Sequence, residues 1–137
     1  MPGRINETYD QMHDYDIASY KVDFENMRLI ITACSGKGDI CDIIFTGLLA
    51  HKFENVGRQN ILFDICNIST PRFLDEYKDE LPDWLTYMFP INAKDSIECK
   101  KMLARNKYKV YEINSSIGLC GFVIAQAIEI INRQEIE

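Results

Sequence analysis

Two histidines and five cysteines are the side chains in this 137-residue chain with the strongest catalytic or metal-binding chemistry. The cysteines are Cys34, Cys41, Cys66, Cys99 and Cys120. They form no C-x-x-C pair, so the spacing of a zinc ribbon or a thioredoxin-like motif is absent. No local pattern sets a cysteine beside a histidine and an acid, as nucleophilic catalysis requires. We therefore predict that the chain is not an enzyme, with no catalytic residue, metal ligand or cofactor.

The two histidines, His13 and His51, lie far apart in the sequence. His13 precedes Asp14, and such a pair binds metal in one class of phosphohydrolases, which need several further His and Asp ligands. We expect the His13 ring to pack or hydrogen-bond at the entrance of the sheet. No spacing indicates a role beyond structure for either histidine.

A lysine stands between two glycines in residues 35–38 (Ser-Gly-Lys-Gly), which superficially suggests a phosphate loop. A Walker A loop also needs a glycine at the position of Ile31 and a serine or threonine at the position of Gly38. The match fails, and a turn between two strands explains both glycines. Cys34 and Cys41 flank this turn, so the alternatives are a disulfide across a hairpin and buried free thiols.

The densest charge in the chain is an acidic run around a single base, Lys78. Its members are Asp75, Glu76, Asp79, Glu80 and Asp83. An exposed carboxylate keeps an ordinary pKa and makes a poor general acid, so this run does not indicate catalysis. Two interpretations remain: a solvated helix face, or an acidic docking surface for a basic partner. We carry the five acids forward as the candidate partner-binding residues.

Composition narrows the classes of partner. The net charge of -6 argues against nonspecific binding to nucleic acid or anionic membranes, and it permits a basic protein partner. The hydrophobic content of 47% is typical of a globular protein, and residues 1–137 are expected to form a single domain. No apolar stretch follows the N-terminal residues and none approaches the length of a membrane span, so we expect a cytoplasmic protein.

The first half of the chain has the pattern of four antiparallel strands. Ile17–Phe24 alternates with period two from Tyr20, and Met27–Cys34 follows after a polar pair. Ile40–Leu49 is apolar almost throughout, which indicates a central strand or, alternatively, a buried helix. Gly47 marks a candidate bulge in it. A fourth strand is predicted at residues 60–65.

The second half changes period. Ser69 or Thr70 before Pro71 predicts a helix start, Pro82 ends or restarts that helix, and a third helical segment begins at residues 94–96. Strands return at Tyr108 and at residues 121–131, the latter with the alternative of partial helix. The predicted fold is α+β: an antiparallel sheet of about six strands, with two or three helical segments inserted before a C-terminal hairpin.

The predicted core is drawn from the apolar positions of these elements. It comprises Val22, Phe24, Leu29, Ile31, Ile43, Phe45, Leu62, Phe63, Leu81, Trp84, Ile113, Phe122 and Ile124.

Four local patterns carry a resemblance to a family. They are His13-Asp14 ahead of the first strand, Phe45-Thr46-Gly47, Asn60-Ile61-Leu62-Phe63-Asp64-Ile65, and Gly118-Leu119-Cys120-Gly121-Phe122-Val123-Ile124-Ala125. Together they resemble small bacterial α+β proteins that are similar to immunity proteins of polymorphic toxin systems. The resemblance implies a sheet with helices on one face and a role in blocking a partner toxin domain. It implies no catalytic residue.

These observations predict a non-enzymatic, immunity-like protein-binding domain that neutralises a partner, such as a basic toxin domain. We expect neither a nucleic-acid nor a membrane partner. The first alternative is a homo-oligomeric structural or scaffold module, a homodimer for example, that pairs through strand edges. The second alternative, less favoured, is a small-ligand-binding protein with a pocket that holds His51 or a cysteine beside a carboxylate.

Overall fold

The computed structural model describes residues 7–133 and contains nine strands and three helices. In chain order the elements are β1 (Glu7–Tyr9), β2 (Asp16–Asp23), β3 (Arg28–Cys34), β4 (Ile40–Thr46), β5 (Ala50–Glu54), β6 (Ile61–Ile68), α1 (Thr70–Glu76), α2 (Leu81–Tyr87), α3 (Ser96–Arg105), β7 (Lys109–Ile117), β8 (Cys120–Ala125) and β9 (Ala127–Arg133).

The strands form one antiparallel sheet with the order β5-β8-β7-β6-β2-β3-β4-β9, and β1 also pairs with β6. The α+β class, the antiparallel pairing and the helices before a C-terminal hairpin are therefore confirmed. The expected number of about six strands is an underestimate. The predicted strand 40–49 is divided at Gly47, the predicted strand 121–131 is divided at Gln126, and β1 is a further strand ahead of the first predicted one.

The two divisions face each other and bend the sheet sharply. Thr46 pairs with Ala127 and Ala50 pairs with Ile124, so residues 47–49 oppose the shorter segment 125–126. This is a bulge, as predicted at Gly47, whose φ of +64° suits glycine. A Cβ at that position would also collide with the Gln126 side chain.

Because β4 runs into β5 and β8 runs into β9 at this bend, the sheet folds over itself. We call β2-β3-β4-β9 the open half and β5-β8-β7-β6 the helix-covered half. The first core lies between them. Its buried members are Met12, Ile17, Leu29, Ile31, Ala33, Cys41, Ile43, Phe45, Leu48, Leu62, Ile65, Tyr111, Ile113, Leu119, Val123 and Ala125.

The helices begin where the sequence predicts. The Ser69 side chain accepts a hydrogen bond from the Arg72 amide at 3.3 Å, ahead of α1. The Asp95 carboxylate accepts one from the Glu98 amide at 2.9 Å, and Glu98 reaches back to the Lys94 amide at 3.0 Å. The bond to the Glu98 amide satisfies one of the donors that an uncapped helix leaves open, and the bond to Lys94 fixes the chain just before the helix. No helix among residues 7–133 is long and apolar enough to cross a membrane.

A second core joins the helices to the outer face of the helix-covered half. Its buried members are Ala50, Ile68, Phe73, Leu74, Leu81, Trp84, Phe89, Cys99, Leu103, Val110, Phe122 and Ile124. The outer face of the open half carries no helix in the described part of the chain. Within residues 7–133 the helices therefore lie on one face only.

Most of the predicted core is buried, but two members are wrong: Phe24 is 77% exposed and Phe63 is 46% exposed. Phe24 follows the last residue of β2 and belongs to the turn. Phe63 falls at a register shift, because Leu62 pairs with Ser115 while Asp64 pairs with the adjacent Asn114. Val22 is half-buried at the margin of the first core.

Candidate functional site

The five predicted partner-binding acids lie together on the surface of the helical layer. They occupy the end of α1, the turn at residues 77–80 and the start of α2, and every one is exposed. We call Asp75, Glu76, Asp79, Glu80 and Asp83 the acidic segment. No Lys or Arg described in residues 7–133 forms an ion pair with any of them, and this includes Lys78. The segment therefore presents five carboxylates around one lysine, with none of the five held in an ion pair.

An aromatic cluster holds the acidic segment in place. Tyr77 packs on Trp84 at 5.1 Å and on Phe122 at 5.5 Å, measured between ring centroids. Phe73 completes the cluster, with its ring 4.8 Å from that of Phe122 in an edge-to-face arrangement. Burial raises the pKa of Tyr77, so its phenol stays neutral among the acids. The acids thus project from a segment whose backbone is fixed by buried rings.

A groove of about 540 Å³ adjoins the acidic segment, between α1, α2 and the start of α3. Its apolar lining is Leu74, Leu81, Leu85 and Ile97. Its charged lining is Asp75, Lys78, Lys94, Asp95 and Lys100. Asp75 belongs to both features, and Ile97 is 65% exposed. The sequence analysis missed this groove because it depends on how α3 packs beside α1, which no local spacing reports.

The cysteines do not pair. Ala33 stands opposite Cys41 and Cys34 opposite Ile40, so Cys34 and Cys41 point to opposite faces of the sheet. All five thiols are free, which overturns the disulfide alternative and confirms the free thiols. Burial raises the pKa of both Cys41 and Cys99 to about 11, so neither is a ready nucleophile.

One cysteine does lie beside a carboxylate. The Cys66 thiol donates to Asp64 at 3.6 Å, and the Asn114 side chain donates to the same carboxylate oxygen at 2.7 Å. Burial raises the pKa of the Cys66 thiol, and the neighbouring negative charge raises it further. This arrangement favours a neutral thiol and does not activate it.

The histidines take packing positions. The His13 ring meets Phe63 edge-on at 5.0 Å, and its Nε2 lies 3.4 Å from Asp14 at the exposed surface, so the predicted packing is confirmed. His51 packs on Phe53 at 5.2 Å within β5. Within residues 7–133 no group of His, Cys, Asp and Glu is arranged to hold a metal ion. The groove beside the acidic segment contains neither a histidine nor a cysteine.

Burial lowers the pKa of His51, so the free energy of unfolding depends on pH through this side chain. Below its ordinary pKa of about 6.5, the unfolded chain binds a proton that the folded chain resists. The contribution of neutral His51 to stability is therefore fully present above that value, and it is lost as the pH falls through the pKa of His51 in the folded chain. When the pH is lowered from about 7 to about 5, the urea concentration at the unfolding midpoint of the natural chain should fall. In His51→Gln it should fall less. An equal fall in the natural chain and in His51→Gln would contradict the assignment to His51.

Comparison of the chain with protein-family models, curated proteins and solved structures found no match.

Proposed function

We propose that this chain is a non-enzymatic, immunity-like protein-binding domain that neutralises a basic partner protein in the cytoplasm. The observation that carries the proposal is the acidic segment. All five of its carboxylates are exposed, and none is paired with a Lys or Arg of the described chain. Their backbone is anchored by the Tyr77, Trp84 and Phe122 rings. An inhibitor needs such a fixed surface, because a preorganised surface loses little entropy on binding.

The acidic segment and the adjacent groove would contribute to binding in different ways. The acidic segment would steer a basic partner toward the helical layer and exclude acidic competitors. The adjacent groove offers apolar contact through side chains such as Leu85 and Ile97. Buried apolar anchors supply most of the energy of an interface, while charges at its rim mainly set rate and specificity. The resemblance to immunity proteins supports a toxin domain as the partner.

The partner is to be captured from lysate of the native host with the tagged chain, at low and at high salt, and identified by mass. A basic protein that is retained at low salt and released at high salt is the expected result, because exposed charge pairs are screened. Failure to retain any protein at either salt would count against neutralisation as the function.

With the partner in hand, Asp75, Glu76, Asp79 and Glu80 changed together to Lys should weaken binding by about 10- to 1000-fold, mostly through a slower association rate. The matched control replaces four exposed acids outside the helical layer, Asp10, Asp14, Asp16 and Glu25, by Lys. It makes the same change in net charge and should bind more tightly than the first variant. Equal losses of affinity in both variants would show that the change in net charge alone weakens binding. Unchanged affinity in the first, with its circular dichroism preserved, would remove the acidic segment from the interface.

A second candidate function is a self-associating structural module. The observation that favours it is β9, which pairs with β4 along one side and ends the sheet order on the other. An open strand edge is a template for another strand.

A further inference from the structure

The unpaired side of β9 is an interaction surface of a different kind from the helical layer. β9 runs over seven residues, and in the described chain β4 is its only strand partner. Alternate residues of an edge strand direct their N–H and C=O groups away from the sheet, where another strand can bond them. These groups lie in the open half, across the first core from the helices. The surface therefore does not depend on the proposed partner binding.

Natural sheets protect their edges with lysines, prolines, bulges or very short strands. β2 pairs with β6 at one position only, so most of that side is an edge. This edge is protected by a register shift between Ile17 and Ser19 and by Lys21. β5, at the other end of the sheet order, is five residues long and contains Lys52. β9 has the sequence AIEIINR and pairs with β4 without a shift. β9 is longer than β5 and contains no lysine, proline or bulge, and its two charges, Glu129 and Arg133, are of opposite sign.

The outward face of β9 is self-complementary. Ile128 and Ile130 pack toward the first core, so Glu129, Ile131 and Arg133 share the outer face. Ile131 is 41% exposed. Two copies of β9 that pair antiparallel about a two-fold axis at Ile131 would set the two Ile131 side chains against each other. Each Glu129 would then stand opposite Arg133 of the second copy, which is a favourable cross-strand pair.

Arg133 is held on the outer face of the open half by a bond to β4. Its Nε and Nη2 donate to the two carboxylate oxygens of Asp42 at 2.7 and 2.9 Å, and Thr32 donates to the same carboxylate at 2.8 Å. The remaining Nη1 makes no bond to Asp42, and about half of the Arg133 side chain is exposed (53%). Moving the axis to Ile130 would set Glu129 opposite Ile131 and lose both charge pairs, so the pattern selects one register.

We propose that β9 pairs with β9 of a second copy of this chain, in antiparallel register centred on Ile131, to join two open halves into one continuous sheet. The partner at this edge is a second copy of the chain. In an antiparallel copy the order Glu129, Ile131, Arg133 is reversed, so acid meets base and isoleucine meets isoleucine. Isologous contacts of this kind close at two chains.

The mass of the purified chain, measured by light scattering and sedimentation at rising concentration, should increase from one chain to two and stop there. Ile131→Lys sets two like charges on the axis and should raise the dissociation constant at least about tenfold. Phe24→Lys is the matched control: it changes an exposed apolar residue to the same cation away from β9, and it should dimerise normally. A natural chain that stays monomeric at every concentration overturns the proposal, and so does a dimer that survives Ile131→Lys.

Crosslinking tests the register itself. In the proposed register, Ile131→Cys brings two introduced thiols face to face, and mild oxidation should give a covalent dimer. In Glu129→Cys the introduced thiols are four positions apart, about 14 Å, and should not join. The natural chain is oxidised in parallel to show what its own cysteines contribute. Equal crosslinking of both variants, or crosslinking of Glu129→Cys alone, would overturn this register.

Discussion

Replacing Phe122 by alanine should lower the free energy of unfolding by about 3–5 kcal/mol. Phe122 is 2% exposed, and its ring lies 4.8 Å from Phe73, 5.3 Å from Trp84 and 5.5 Å from Tyr77. It is the sheet residue on which three rings of the helical layer converge. Alanine would leave a cavity there that rigid aromatic neighbours cannot fill by relaxing.

Trp84 is the only tryptophan of the chain, so its fluorescence reports the helical layer directly. Urea unfolding of Phe122→Ala, followed by fluorescence and by circular dichroism, should show a lower midpoint, with the fluorescence change leading. Phe24→Ala is the matched control. Because Phe24 is 77% exposed, its removal should shift the free energy by no more than about 0.5 kcal/mol. Comparable losses in the two variants would contradict the packing described for Phe122.

Replacing Gly121 by alanine should cost well over 1 kcal/mol and detach β5 from the sheet. Gly121 pairs with Phe53 of β5 and with Ile113 of β7, and its φ is +147°. A Cβ at this position would collide with the carbonyl oxygen of Lys52 and lie 2.9 Å from its carbonyl carbon. These are backbone atoms of the paired strand, so no side-chain rotation relieves the contact.

The measurement for Gly121→Ala is hydrogen exchange, which should show faster exchange of the β5 amides together with a lower unfolding midpoint. Gly36→Ala provides the comparison, since a Cβ there has no atom within 4 Å and its φ is not positive. That variant should be neutral or stabilised by about 0.4–1 kcal/mol. If Gly121→Ala matched Gly36→Ala in stability, the close approach of β5 and β8 would be wrong.

The helices were the most predictable part of the fold because their starts are encoded locally. Ser69 ahead of Pro71 and Asp95 ahead of Glu98 satisfy backbone donors within one turn, without help from distant residues. The acidic segment was predictable for a related reason: a dense run of like charges is costly to bury. Its location and exposure follow from the sequence, whereas its role in binding stays a prediction.

The strand order, the fold-over of the sheet and the groove were not predictable, because they depend on contacts between distant residues. Period-two alternation also fails to predict burial wherever the register between two strands shifts. Phe63 was assigned to the core from its apolar neighbours, yet it sits where one strand gains a residue over its partner. Gln126 divides the last strand with no glycine or proline to signal it.

The pairing of β4 with β9 has a consequence for how the chain acquires its fold. Asp42 and Arg133, which join these strands, are 91 positions apart. Closing a loop of that length costs entropy before any contact repays it, and topologies rich in such contacts fold slowly. During synthesis β4 leaves the ribosome long before β9 exists, with its apolar residues lacking the strand that will flank them. The open half is therefore completed late, and until β9 is made β4 exposes an unpaired strand edge to other chains.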